Sequence, residues 1–281
     1  MSRRRVPKTE IWGVKIEFMD INLKDKKAFV CGSTQGIGRA AAVELANLGA
    51  SIILLARNEE SLKQTKDELH TSQNQGHDYI VADFSAPEEL KNKVAEYLEN
   101  NPSPVHILVN NTGGPPAGKA IDANLQEFIN AFQTHLLCNQ ILVQSLVSGM
   151  KAARYGRIIN VISTSVKQPI PNLGVSNTIR GAVASWAKTL SGELGEFGIT
   201  VNNVLPGFTK TQRLESIVEN KANKTGASIE RIEEEMKSET PAKRFAEASE
   251  VADAIAFLAS PAASYINGIN LPVDGGRTSS L

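Results

Sequence analysis

Short apolar runs recur along the chain, and most are followed by a longer amphipathic stretch. The runs at 27–31, 52–56, 78–82, 106–109, 157–162, 199–204 and 269–273 read as strands. The stretches at 37–48, 59–74, 87–100, 124–150, 175–196 and 248–258 read as helices. In Ser51-Ile52-Ile53-Leu54-Leu55 the apolar positions are continuous rather than alternating. Such strands are covered on both faces, as in a parallel sheet between two helical layers. The alternation predicts a single doubly wound α/β domain over 19–281 with a parallel sheet of about seven strands. Residues 1–18 stand outside this rhythm, since Met19-Asp20-Ile21-Asn22-Leu23 leads naturally into the first strand, and they are expected to form a loosely ordered extension. The rhythm breaks again at 209–244, a long charged segment after the sixth strand. Ligands of open α/β sheets bind beyond the carboxyl ends of the strands, which makes this segment a candidate substrate lid. Its acidic run Glu233-Glu234-Glu235 reads as a solvated helix face.

Charge narrows the partners. Thirty basic and thirty acidic residues cancel, so charge points neither to nucleic acid nor to an anionic membrane. No apolar run has the length to span a bilayer. Met1-Ser2-Arg3-Arg4-Arg5 is basic, but no apolar core follows it, unlike a secretory signal. Cys31 and Cys138 sit in apolar segments without metal-ligand spacing and read as buried, reduced thiols of a cytoplasmic protein; no metal is expected.

The most informative stretch joins the first strand to the first helix: Cys31-Gly32-Ser33-Thr34-Gln35-Gly36-Ile37-Gly38. Glycines let such a turn take positive φ and let a phosphate approach the backbone. The helix behind it points free N–H groups and a positive dipole end at that phosphate. Strand, glycine turn and helix in this order predict a Rossmann-type nucleotide site formed by Gly32, Ser33, Thr34, Gly36, Ile37 and Gly38.

Further motifs fall at regular places. Asp83-Phe84 follows the third strand, and Asn110-Asn111-Thr112-Gly113-Gly114 closes the fourth. The fifth is Gly156 to Ser163, and Pro206-Gly207-Phe208-Thr209-Lys210-Thr211 follows the sixth. Val273-Asp274-Gly275-Gly276 stands near the end. Together these resemble the short-chain dehydrogenase/reductase family over roughly residues 20–277. The resemblance implies that Asp83 meets the adenine amino group with Phe84 alongside. It implies that Asn110 and Gly113 shape the floor under the cofactor, and that Pro206, Gly207 and Thr211 border the nicotinamide carboxamide. Taken alone, Asp83 also reads as a helix cap and Asn110-Asn111 as a strand-end turn.

An NAD-binder usually carries an acid after the second strand to accept the ribose hydroxyls. Here Ala56-Arg57-Asn58 stands there, and the guanidinium of Arg57 suits a 2′-phosphate by a forked, charge-assisted contact. Glu59 and Glu60 come later, in a helix's first turn. NADP(H) is the cofactor expected.

The catalytic positions depart from the family. Its Tyr-x-x-x-Lys should stand thirteen residues beyond the active-site serine; counting from Ser163 gives Ser176 and Arg180. No tyrosine lies between Tyr155 and Tyr265, and His135 takes the place of the family's helix asparagine. A serine hydroxyl is a far weaker acid than a phenol, and a guanidinium is effectively never deprotonated. His135 is a candidate substitute acid because imidazole titrates near neutrality, and it reads equally as a partly buried helix histidine. Ser163 and Ser176 offer hydroxyls to substrate or water, and Arg180 can hold the nicotinamide ribose. Lys167, four residues after Ser163, could also reach into the site but reads more readily as a solvated loop lysine.

The expectation is an atypical NADP(H)-dependent oxidoreductase of a carbonyl or alcohol, similar to 3-oxoacyl-carrier-protein reductases. Two other uses of the pocket stay open: a non-redox lyase or dehydratase, and a catalytically silent nucleotide-binding protein. Apolar positions Phe128, Phe132, Leu136 and Leu142 suit a core face, and in the family the two long helices pair across a dimer or tetramer interface.

Overall fold

The computed structural model describes Glu10–Ile11, Val14–Lys15 and residues 19–280. The expectation of a loose extension over 1–18 therefore falls largely outside the described residues; Glu10–Ile11 and Val14–Lys15 form a short antiparallel pair.

Seven parallel strands make one sheet: β1 (Lys27–Cys31), β2 (Ser51–Ala56), β3 (Asp78–Val81), β4 (Ile107–Asn110), β5 (Gly156–Val161), β6 (Ile199–Pro206) and β7 (Asn270–Val273). Their order is β3-β2-β1-β4-β5-β6-β7, so the winding reverses between β1 and β4. Helices α1 (Gly36–Asn47), α2 (Glu59–Asp67), α3 (Pro87–Asn100), α4 (Leu125–Phe132), α5 (Cys138–Ala153), α6 (Gly174–Leu194), α7 (Gln212–Thr225), α8 (Ile229–Ser238) and α9 (Ala248–Ala259) join them.

Successive strand side chains point to opposite faces, and both faces are apolar. Ala28, Val30, Ile52 and Leu54 pack on α1 and α9 through Ala41, Leu45, Val251 and Ile255. Phe29, Cys31, Ile53 and Leu55 pack on α3 and α5 through Leu90, Val94, Leu142 and Leu146. This two-sided burial is why the strands lack alternation. Both cysteines are buried free thiols.

Two helices differ from the sequence reading. The helix expected over 59–74 stops at Asp67. Thr71-Ser72-Gln73-Asn74 turns instead, with Asn74 at φ +63°, and the Gln75 amide donates to the Ala46 carbonyl at 2.8 Å. The helix expected over 124–150 is interrupted at Gln133–Leu137 by a wider π turn, in which the Cys138 N–H reaches back to the Gln133 carbonyl. The apolar stripe accordingly divides: Leu142 is in the core, while Phe132 remains 39% exposed.

The segment 209–244 folds into α7 and α8 around a small core of its own, Leu214, Val218, Ala222, Ile232, Met236 and Phe245. The Lys210 N–H donates to the Ala246 carbonyl and the Ala246 N–H to the Phe208 carbonyl, both at 2.9 Å, which pins the base of this segment beside β6. The acidic run is on the solvated face of α8, where Glu233 and Glu234 pair with Lys237.

Candidate active site

Parallel strands end at one edge, so Gly32, Arg57, Asp83, Asn111, Ser163 and Gly207 all emerge together beyond the sheet. The switch point between β1 and β4 puts two of these loops side by side. There the Asn111 amide donates to the Cys31 and Gly32 carbonyls at 3.2 and 3.4 Å, stapling the β4 loop to the glycine turn.

The turn itself is shaped by what glycine omits. Gly36 takes φ +53°, and a Cβ there would stand 3.1 Å from the Thr211 methyl group. A Cβ on Gly38 would collide with the Gly32 carbonyl oxygen, so only glycine lets α1 start this close to β1. Gln35, at the start of α1, supplies no side-chain cap, which leaves first-turn N–H groups open to an anion. Ser33 is fully buried with its hydroxyl unpartnered; Thr34 and Ile37 are half-buried.

Arg57 is exposed at the end of β2, and no acidic side chain pairs with it among the described residues. Asp83, half-buried at the end of β3, accepts the Ser85 N–H at 2.8 Å. That bond, with the nearby charge of Arg57, holds its carboxyl below the usual range. Asp83 thus serves as a turn cap and also presents a carboxylate to the edge. Phe84 differs from its expected placement: its ring is turned into the core, and its carbonyl accepts the Cys138 thiol at 3.2 Å. Burial pushes that thiol up to about 12.

On the other side of the switch point, side chains replace backbone. Asn110 donates to Asn160 at 2.8 Å, Asn160 to Asn203 at 2.9 Å and Asn203 to Asn270 at 2.8 Å, a ladder of amides across β4 to β7. Asn110 Oδ1 is left buried without a partner. A Cβ on Gly113 would meet nothing within 4 Å, so this loop residue faces open space. Ser163 follows β5 in extended conformation, and its hydroxyl accepts the Ser165 N–H at 3.1 Å. Lys167 ends that turn, half-buried. Ser176 and Arg180 lie one turn apart on α6, both buried, and Arg180 Nη1 donates to the Val161 carbonyl at 2.9 Å. Pro206 ends β6, and the Gly207 N–H donates to the Val273 carbonyl at 3.0 Å. Asp274 is a turn former, accepting the Gly276 and Thr278 N–H groups. A cavity of about 190 Å³ opens beside Thr164 and Gln168, walled by Glu239 and Arg277.

The model of a family described as enoyl-(acyl carrier protein) reductase matches residues 32–278. A 3-oxoacyl-[acyl-carrier-protein] reductase, FabG of Haemophilus influenzae, is 34% identical over 256 residues, covering 90% of this chain and 98% of its own. The chain belongs to the short-chain dehydrogenase/reductase family. The NADPH-dependent reductase BacG of Bacillus subtilis is 29% identical over 259 residues, 92% of this chain and 100% of that one. The crystal structure of L-sorbose reductase from Gluconobacter frateurii, complexed with NADPH and L-sorbose, superposes with a TM-score of 0.87 at 29% identity. That match covers 94% of this chain and 100% of the other.

For a short-chain dehydrogenase/reductase, His135 needs correction as a candidate acid. It sits in the π turn, 3% exposed, hydrogen-bonded through Nδ1 to Thr112 Oγ1 at 2.7 Å. Burial, then the charges of Arg180 and Arg213, push its pKa down to about 2. Burial thus favours the uncharged imidazole, which keeps one N–H but lacks the readily given proton of an imidazolium. Its burial agrees with the reading of His135 as a buried helix histidine.

Three residues of this edge escaped the sequence reading as site candidates: Asn111, Thr112 and Arg213. Asn111 and Thr112 lie within the motif after β4, so their position was the available signal. Arg213 had none, because its contacts, Gly114 and Pro115, lie 99 and 98 residues away.

Proposed function

We propose that this protein is an NADP(H)-dependent oxidoreductase that interconverts a carbonyl and an alcohol on a small molecule. The observation that carries it is the glycine turn: backbone cleared by Gly36 and Gly38, uncapped N–H groups on α1, and Thr211 standing over it. The residues present fit a dinucleotide. The α1 N-terminus would take the pyrophosphate, Asp83 the adenine, and the exposed Arg57 a 2′-phosphate. BacG and L-sorbose reductase, by their names, use NADPH, which agrees with an arginine at that place.

The bound nicotinamide supplies or accepts the hydride. The chain's own task is to orient the reacting oxygen and manage its proton. Ser163 is the hydroxyl at the end of β5 suited to hold that oxygen. Arg180 stands where the family has its lysine; it stabilises negative charge but relays no proton. Ser176 is too weak an acid and too short to replace a phenol. With neither group a strong acid, protonation is left to solvent, at a cost of roughly 10²–10⁴ in rate relative to a positioned acid. The 209–244 segment serves as the lid over the substrate.

The test is a titration with NADPH and NADH followed by nicotinamide fluorescence, then NADPH oxidation on a panel of carbonyl compounds. Micromolar NADPH binding well ahead of NADH, with slow turnover, is expected. Absence of binding by either nucleotide would overturn the reading.

We also infer a homo-oligomer that covers the outer face of α4. Leu125 is 81% exposed, Ile129 49% and Phe132 39%, with Ile121 at 89% just before them. Leu125→Glu with Ile129→Glu should leave a monomer by light scattering; an unchanged mass would contradict the assignment.

A further inference from the structure

Two guanidinium groups stand at the edge of β4 and β5, Arg180 on the Val161 carbonyl and Arg213 on the loop after β4. Arg180 is 7% exposed; Nη1 is bonded to Val161, but Nε is buried without any partner. Arg213, in the first turn of α7, donates from Nη1 to the Gly114 carbonyl at 3.1 Å and from Nη2 to the Pro115 carbonyl at 2.9 Å. Among the described residues neither forms an ion pair. Burial first, and then the charge of Arg213, lowers the pKa of Arg180, while burial alone lowers that of Arg213. Arg180 is buried while Arg213 is exposed, so an anion arriving from solvent at Arg213 also offsets the cost of the buried charge behind it.

We propose that the substrate of this site carries a carboxylate and that Arg213 is the residue that pairs with it, with Arg180 adding to the same field. The inference rests on the oxidoreductase reading above and names its substrate class. The chemistry favours a carboxylate because each Nη of Arg213 already gives one N–H to a carbonyl. Three of its five N–H donors remain, and Nε–H with a neighbouring Nη N–H presents a parallel pair that matches two carboxylate oxygens in a plane. Its placement favours substrate over cofactor. The guanidinium is anchored on the β4 loop at Gly114 and Pro115, whereas the residue of this segment that stands over the glycine turn is Thr211. Because Arg213 belongs to α7, pairing with the anion also ties the lid down on its substrate.

The experiment uses oxo acids paired with their methyl esters, which share the ketone and differ in charge. Binding is read by calorimetry on the protein saturated with NADP⁺, which cannot turn the ketone over, and kcat/KM is read with NADPH. The acid is expected to bind and react at least about 30-fold better than its ester, within the range of a charge-assisted hydrogen bond. Arg213→Met should bring the pair within about threefold through KM, Arg213→Lys should recover part, and Lys93→Met, a cation of α3 paired with Glu89, should change neither. Acid and ester titrating alike, with nucleotide bound normally, would overturn this inference alone. So would Arg213→Met losing NADP⁺ affinity while the acid–ester ratio stands, since Arg213 would then belong to the cofactor. Absence of nucleotide binding by the unaltered protein would overturn the oxidoreductase reading and this inference together.

Discussion

The carboxyl edge of the sheet has two halves built on different principles. Over β1 to β3 the site is mostly backbone: a turn that needs glycine at Gly36 and Gly38, and uncapped N–H groups. Over β4 to β6 it is mostly side chain: a ladder of amides, a buried histidine on Thr112 and two arginines without an acid. A backbone site admits few substitutions, because any side chain fills the space the ligand or the turn requires. A side-chain site can exchange its groups while the fold stands, and the chemistry changes with them. In this chain the side-chain half carries Ser176 and Arg180, both buried one turn apart on α6.

Four substitutions test that contrast, from the largest expected effect to the smallest. Gly38→Val strikes the backbone half. It should cost about 1–3 kcal/mol of stability from overpacking and more than about 100-fold in NADPH affinity, read by thermal melting and fluorescence titration. Retained affinity would mean that the turn is not the nucleotide cradle. Asn160→Ala breaks the ladder in the other half and leaves the Asn110 amide and the Asn203 carbonyl oxygen unpaired in the core. Stability should fall by about 2–4 kcal/mol in urea titrations, with NADPH affinity of the folded fraction held within a few-fold.

Arg57→Asp should lower NADPH affinity by about 10- to 100-fold and leave NADH equal or better, because the new carboxylate repels the 2′-phosphate and accepts the ribose hydroxyls. Equal losses for both nucleotides would place Arg57 elsewhere. The smallest effect belongs to His135. Its folded pKa is held near 2, while the unfolded chain takes up that proton near 6.5. Below about pH 6.5 the unfolded state binds more protons, so this group's share of stability declines as pH falls toward 2. His135→Gln should flatten that decline by up to about 1.4 kcal/mol per pH unit, read from urea midpoints at pH 7, 6 and 5. Catalysis between pH 6 and 8 should keep its profile, since the imidazole is neutral throughout. A rate limb near neutrality that disappears in the variant would restore His135 as an acid.

The strands and the nucleotide turn were legible in the chain because both are local and periodic. Continuous apolar runs announce strands covered twice, and the glycine spacing announces a turn whose geometry is confined to a few residues. The helix end at Asp67 and the π turn at Gln133–Leu137 were not legible, because each depends on neighbours beyond its own stretch. Gln75 is held by Ala46, 29 residues away, and His135 is held by Thr112 from the β4 loop.

The sequence by itself determined the doubly wound sheet, the place of its edge and the absence of a tyrosine from the α6 position, since periodicity and residue identity carry that information directly. The tertiary structure decided the state of the groups at that edge. Whether His135 is charged, whether Phe84 faces solvent or core, and whether Arg213 reaches the loop after β4 depend on burial and distance across the fold. Those are properties of packing between segments far apart in the chain, and electrostatic free energy follows the environment rather than the residue name.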